Sequence, residues 1–255
     1  MRESVLATPE RNLVLLEAVV RDGGRSSVAA LAREMQISVA SAHRHIAALV
    51  SAGYLIRAGY GRHLPGLKLR TLAALMDEKQ LLANAAAPTL ERLALRTGNV
   101  VQLGIFENDM VTYLVKTGQS AGDLFTKVGM QLEAYCSGLG KVLLANLPAQ
   151  VQSDYLAGWP FIGLTERTIT DPELLKMELE EVMLKGFAVD DEEVVMGLQC
   201  LAVPITNSKG EVIAAISASR ATRDDGWRWQ DKHLSMLRAA ASEIGSSVYA
   251  SLHGP

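Results

Sequence analysis

Residues 27–57 read SVAALAREMQISVASAHRHIAALVSAGYLIR, and the spacing of caps and apolar residues there decides the first part of the fold. Ser27 is an N-cap residue type, and Val28, Leu31 and Ala32 follow on one helical face. Gln36-Ile37-Ser38 breaks that pattern. Ser38 then caps a second helix, in which Val39, Ala42, Ile46 and Leu49 form a narrow apolar stripe. The other face presents Ala40, Ser41, Arg44, His45 and Ala48, small or hydrogen-bonding residues with no carboxylate among them. Such a face can approach a DNA groove closely, where Arg and Ser reach base edges and phosphates. Two short helices joined by a tight turn form a helix-turn-helix, whose second helix enters the major groove. The pattern predicts DNA contacts from Ser38, Ser41, Arg44 and His45. His43 and His45 flank Arg44, and one of these histidines is expected to face the core instead.

Upstream, Thr8-Pro9-Glu10 is a helix start, with Leu13, Leu16 and Val20 at helical spacing and Asp22-Gly23-Gly24 as the stop. Downstream, Tyr54–Arg57 reads as a short strand, 58–61 as a turn and Arg62-His63-Leu64 as the return strand. A basic hairpin just after a recognition helix is a wing, and Arg57 and Arg62 are expected on the DNA backbone. The plainer alternative is a solvated hairpin on a three-helix domain that binds protein. Residues 1–65 hold eight arginines against five acids, whereas the whole chain has a net charge of −3, so a basic head on an acidic body suggests two parts with different partners.

Pro65-Gly66 marks a boundary, so the sequence predicts a DNA-binding domain over 1–65. LKLRTLAALMDEKQLLANAA then reads as one helix, apolar at Leu69, Leu72, Leu75 and Met76. It supplies a linker over 66–83 that can pair with a partner chain. The remainder, 84–255, begins with a helix from Asn84 to Arg96, with Pro88 near its start. Val100–Phe106 and Met110–Val115 read as a hairpin, and Leu124–Val128 as an edge strand. Further on come a helix after Cys136–Lys141, another from Asp171-Pro172-Glu173 to Gly186, and strands over Cys200–Ile205 and Val212–Ser217. The last helix carries Leu234, Leu237, Ala241, Ile244, Val248 and Leu252. Hairpin strands with helices around them indicate an α+β domain with an antiparallel sheet.

Three features of this second part carry candidate chemistry. Ser137-Gly138-Leu139-Gly140 stands at a helix start, where free amides favour a small anion; the Walker spacing is absent, and an ordinary helix start reads equally well. Asp190-Asp191-Glu192-Glu193 is an acidic run, which reads as a solvated loop or as oxygen ligands for a cation. Ser217 and Ser219, two apart on a strand, share one face and can hold a polar ligand, although a solvent-facing edge is the simpler reading. Cys136 and Cys200 lack neighbouring histidines in any triad pattern, so a hydrolase is poorly supported and no cofactor or metal site is expected.

Composition bounds the rest. The chain has 255 residues, 49% hydrophobic and 21% charged, which excludes wholesale disorder. Two cysteines make no disulfide framework, no apolar run reaches membrane-spanning length, and the N-terminus has no apolar signal core. A soluble cytoplasmic protein is expected.

Three stretches in order, LAREMQISVASAHRHIAALVSAGYL, YCSGLGKVLLANLP and GFAVDDEEVVMGLQCLAVPITNSKGEVIAAISAS, resemble the IclR family of bacterial transcription regulators, and the likeness runs from about Thr8 to Ser251. The resemblance implies a winged helix-turn-helix, a linker helix and a GAF-like effector-binding and oligomerisation domain. It also implies homodimers or homotetramers on operator DNA, more often repressors, and small organic acids as effectors, aromatic or hydroxylated ones included. By position, the effector pocket would draw on Gly138, Leu139, Asp190, Cys200, Ser217 and Ser219. Two departures stand out: Leu139 is larger than the alanine common there, and Arg62–Gly66 differs from the family's usual wing segment. Asp190 would repel a carboxylate unless it is protonated or accepts from a ligand hydroxyl. The rival readings are a second domain that only assembles, and an enzyme built on Cys200 or the acidic run.

Overall fold

The computed structural model describes residues 8–158, 160–222, 229 and 231–249. The chain divides into two compact units at Asp77/Glu78. In the first, helices α1 (Thr8–Asp22), α2 (Val28–Glu34) and α3 (Val39–Ser51) precede a hairpin of β1 (Leu55–Arg57) and β2 (His63–Pro65) and a short helix α4 (Leu67–Ala74). Ser27 and Ser38 cap α2 and α3, their hydroxyls accepting from Ala30 and Ser41 N–H. The turn between those helices closes on Gln36 in the left-handed region, with Ile37 N–H donating to the Ala32 carbonyl at 3.0 Å.

The core of this unit joins Leu15 and Val19 of α1 to Val28, Leu31 and Ala32 of α2 and to Ala42, Ile46 and Leu49 of α3. This shifts two expected faces. On α1, Leu13 and Val20 are exposed, and the inward stripe is Asn12, Leu15, Leu16 and Val19 at spacing 3, 1, 3. The run LVLLEAVV offers two apolar faces, and α3 takes the one that also carries Asn12. On α3, Val39 is exposed although the sequence places it in the stripe.

The hairpin is tied to the helices. Val28 N–H donates to the Gly61 carbonyl at 3.0 Å and Gly66 N–H to the Tyr54 carbonyl at 2.7 Å. Gly66 is required by contact: a Cβ there would lie 2.3 Å from the Gly53 carbonyl oxygen. The single helix expected across 67–86 is two helices. The chain leaves helical conformation at Leu75–Asp77, and Asp77, a favoured N-cap type, immediately precedes the next helix.

The second unit comprises α5 (Glu78–Thr97), β3 (Val100–Glu107), β4 (Met110–Thr117), β5 (Gln131–Glu133), α6 (Gly138–Ala145), α7 (Ala149–Ala157), α8 (Pro172–Lys185), β6 (Ala188–Asp191), β7 (Leu198–Thr206), β8 (Val212–Ala221) and α9 (Asp231–Tyr249). The strands form one antiparallel sheet in the order β5-β4-β3-β8-β7-β6. Alternation divides its side chains between two cores. Val101, Leu103, Leu201, Val203, Ile216 and Ala218 meet α5 and α9 on one face. Val111, Tyr113, Ala202 and Ala215 meet α6 and α8 on the other. Leu252, expected in the last helix, lies outside the described residues. Among the described residues no helix is long and apolar enough to cross a membrane.

Three expectations differ here. Leu124–Val128 is not a strand; a 3-10 turn at Ala121–Asp123 precedes it, and the sheet edge is Gln131–Glu133. Pro88 lies inside α5, which begins at Glu78, so it is not near the helix start. The acidic run is not a loop at its start: Asp190 and Asp191 end strand β6.

Candidate functional site

Helix α3 exposes Ser38 before its first turn, then Val39, Ala40, His43, Arg44, Ala47 and Ala48. Ser41 and His45 are buried, which corrects the expected face. The cause is a polar contact in the core: His45 Nδ1 lies 2.7 Å from Asn12 Oδ1 of α1. Of the two histidines beside Arg44, His43 is the outward one. Beside this face stands the hairpin, with Arg57, Tyr60 and Arg62 exposed. Tyr60 marks its tip, and the Arg62 guanidinium lies 5.9 Å from that ring's centroid. Arg57 and His63 face each other across the two strands. Partial burial, then the charges of Arg57 and His43, hold the His63 imidazole below its ordinary pKa. An exposed short helix with small residues and Arg44, flanked by a basic hairpin, can place side chains in a groove and cations on the backbone.

In the second unit, Gly138, Leu139, Asp190, Cys200, Ser217 and Ser219 all line one buried cavity. Strand register brings them together. Asp190 pairs with Cys200, Cys200 with Ser219, and Ser219 with Val100, in one row across four strands. Ala202, Ser217 and Gln102 form a neighbouring row. Helix α6 covers these rows with its first turn. Ser137 Oγ accepts from Gly140 N–H at 3.0 Å, whereas the amides of Gly138 and Leu139 have no intrahelical acceptor at that position. The turn packs on the segment before it because Gly140 has no side chain; a Cβ there would lie 2.0 Å from the Ala134 carbonyl oxygen.

The sequence did not single out Gln102, Tyr113 and Thr126, which also line the cavity. Ser219 Oγ lies 3.1 Å from Cys200 Sγ and 3.4 Å from Gln102 Oε1, and Gln102 Nε2 donates to Thr126 Oγ1 at 2.7 Å. Only the period-two alternation from Val100 to Gln102 could have signalled Gln102. Thr126 enters through a loop, where no pattern exists. The free space is small, about 20 Å3 for water centres, where one water needs roughly 10–15 Å3 by the same measure.

Electrostatics under the cavity rest on Lys141. Its side chain is 1% exposed, yet its three donors are satisfied by Glu193 at 2.6 Å, Glu178 at 3.0 Å and the Val189 carbonyl at 2.6 Å. Burial pulls its pKa down, the two carboxylates outweigh this, and the net shift is upward. Asp190 Oδ1 accepts from Glu193 N–H at 2.8 Å. Burial dominates at Asp190 and pushes its carboxyl up to about 7. Neutral pH therefore leaves much of it protonated and able to donate. The rest of the acidic run goes elsewhere: Asp191 pairs with Arg167, and Glu192 accepts from Gly197 N–H. Burial pushes the Cys136 thiol up to about 12 and Cys200 well above its ordinary value, so neither is a nucleophile at neutral pH.

Comparison with known proteins identifies both domains. Residues 8–58 match the IclR helix-turn-helix domain, and residues 75–246 match the C-terminal domain of bacterial IclR transcriptional regulators. The Pca regulon regulatory protein of Pseudomonas putida is 28% identical, over 94% of this chain and 83% of its own length. The HTH-type transcriptional repressor AllR of Klebsiella pneumoniae is also 28% identical, over 84% of this chain and 81% of its own. The structure of an IclR homolog from Microbacterium hydrocarbonoxydans, complexed with 4-hydroxybenzoate, superposes with a TM-score of 0.63 at 27% identity, covering 96% of this chain and 100% of that one.

Proposed function

The chain belongs to the IclR family of transcriptional regulators, and from that premise we propose that it is a repressor whose hold on operator DNA is set by a small organic acid. The observation that carries the effector reading is the convergence of six separately encoded residues on one buried cavity. The acid's carboxylate meets the amides of Gly138 and Leu139 and the hydroxyls of Ser217 and Ser219. Asp190 in its protonated form donates to it, which removes the repulsion that an ionised carboxyl would impose. The complex of an IclR homolog with 4-hydroxybenzoate supports an aromatic acid as the class to try first.

On the DNA side, Ser38, His43 and Arg44 face the groove, and Arg57 and Arg62 meet phosphates. The protein works as a homo-oligomer. Helix α4 and the residues after it leave Leu67, Leu72, Leu75 and Met76 exposed, an apolar surface that a second copy would cover. The effector acts by binding one arrangement of the oligomer better than another, and its differential affinity limits the response.

Calorimetry with purified protein and a panel of aromatic and aliphatic acids tests this reading. Saturable binding of one acid, weakened about tenfold or more by the double substitution Ser217→Ala and Ser219→Ala, is expected, since each lost buried partner costs about 1–1.5 kcal/mol. Binding that the double variant leaves unchanged would move the effector out of this cavity.

A further inference from the structure

The inner cavity has room for a water or two, not for a ring. The missing volume lies on the far side of one wall. A cleft of about 740 Å3 opens there, within the roughly 300–1,000 Å3 typical of small-molecule sites. Leu124, Phe125, Leu198 and Ser219 line both spaces. Val195 and Met196 line only the outer one and, with Phe125, stand 40–54% exposed. These three apolar side chains form one patch of a cleft whose remaining lining includes Thr97, Asn99, Ser120, Asp123 and Arg220, and the patch adjoins a small cavity in which Gln102, Asp190, Ser217 and Ser219 are among the polar groups.

We infer that the effector occupies two compartments: a polar head in the inner cavity and an apolar arm in the outer cleft, passing the wall at Leu124–Thr126. The inference rests on the effector-site reading above and narrows its ligand class. The acids that fit are aryl- or alkyl-extended carboxylic acids, not compact ones such as two- or three-carbon acids.

The wall is held from two sides. Lys116 Nζ donates to the carbonyls of Leu124 and Thr126, one on each side of Phe125. From within, Gln102 Nε2 holds Thr126 Oγ1. A head group that takes the Gln102 amide as its own donor frees Thr126, while Lys116 keeps the backbone in place. The opposite rim is held by backbone hydrogen bonds: Thr222 N–H donates to the Gly197 carbonyl at 2.7 Å, and Leu198 N–H to the Val195 carbonyl at 3.1 Å. The arm packs among Phe125, Val195 and Met196, which line the cleft together.

Calorimetric titration of the full-length protein with benzoate, 3-phenylpropanoate and 5-phenylpentanoate tests the inference. Affinity is expected to rise along the series by about three- to fourfold per methylene buried. Met196→Trp, which fills the outer cleft from an exposed position, should flatten that rise. Ser217→Ala, which touches only the inner cavity, should weaken all three acids by one common factor and keep the slope. A flat series in the unmodified protein, with Ser217→Ala still weakening each acid, would overturn the two-compartment site and leave the effector-site reading standing. A rise that survives Met196→Trp unchanged would overturn it as well. Failure of every acid to bind would overturn both.

Discussion

Asp190 is buried in the lining of the inner cavity. Its pKa rises from an ordinary 3.8 to about 7 in the folded protein. The folded state therefore holds a proton that the unfolded chain has released, so stability falls as pH climbs from about 4 to about 7 and levels off above. Asp190→Asn keeps an oxygen to accept from Glu193 N–H and removes the titration. It is expected to raise the melting temperature at pH 8 relative to the unmodified protein and to change it little at pH 4. The same proton bears on binding. Affinity for a carboxylate effector should fall by up to about tenfold per pH unit above 7, and Asp190→Asn should flatten that profile in calorimetry across pH 6 to 9. Lys141 carries a different weight. Lys141→Met strands Glu193 in the interior and is expected to cost about 3–5 kcal/mol in denaturant unfolding. Adding Glu193→Leu should return much of that loss, because apolar packing replaces a buried ion pair at little penalty.

At the scale of elements, α3 and the hairpin divide their labour between stability and recognition. His45 belongs to the core with Asn12. His45→Ala is expected to destabilise the fold by about 1–3 kcal/mol and to leave base preference alone. Arg44→Ala should do the reverse, costing about 1–3 kcal/mol of specific DNA binding and relaxing preference at one base position. Arg62→Ala should weaken all sequences alike and lower the salt slope by about one. Competition anisotropy at several salt concentrations separates these outcomes. Capping and spacing made the helices legible: Ser27 and Ser38 cap α2 and α3 where expected, and in the second unit Gly186 closes α8 in the left-handed region. The rotation of α1 and α3 about their axes was not legible. LVLLEAVV is apolar on two faces, and a histidine reads as polar until Asn12 of another helix meets it. The break at Leu75–Asp77 escaped a pattern reading because apolar residues continue through it. The cavity was legible in pieces, Gly138 at a helix start and Ser217 and Ser219 on one strand face. The register that sets Asp190 beside Cys200 and Gln102 beside Ser217 is a long-range pairing that local sequence does not encode.

For the whole molecule, the proposed function needs copies of the chain to assemble. If the exposed leucines after Gly66 are covered by a second copy, Leu72→Glu with Leu75→Glu should shift the sedimenting species to lower mass and weaken operator binding. The two units should otherwise keep their folds, since neither leucine contributes to a core. Fluorescence anisotropy on DNA from upstream of the protein's own gene and its neighbours, repeated with each acid of the panel, reads DNA binding and effector response together. Specific binding that one acid shifts, with the shift abolished by Ser217→Ala and Ser219→Ala together, is the expected result. Specific binding that no acid shifts would contradict the account and leave the second unit as an assembly domain.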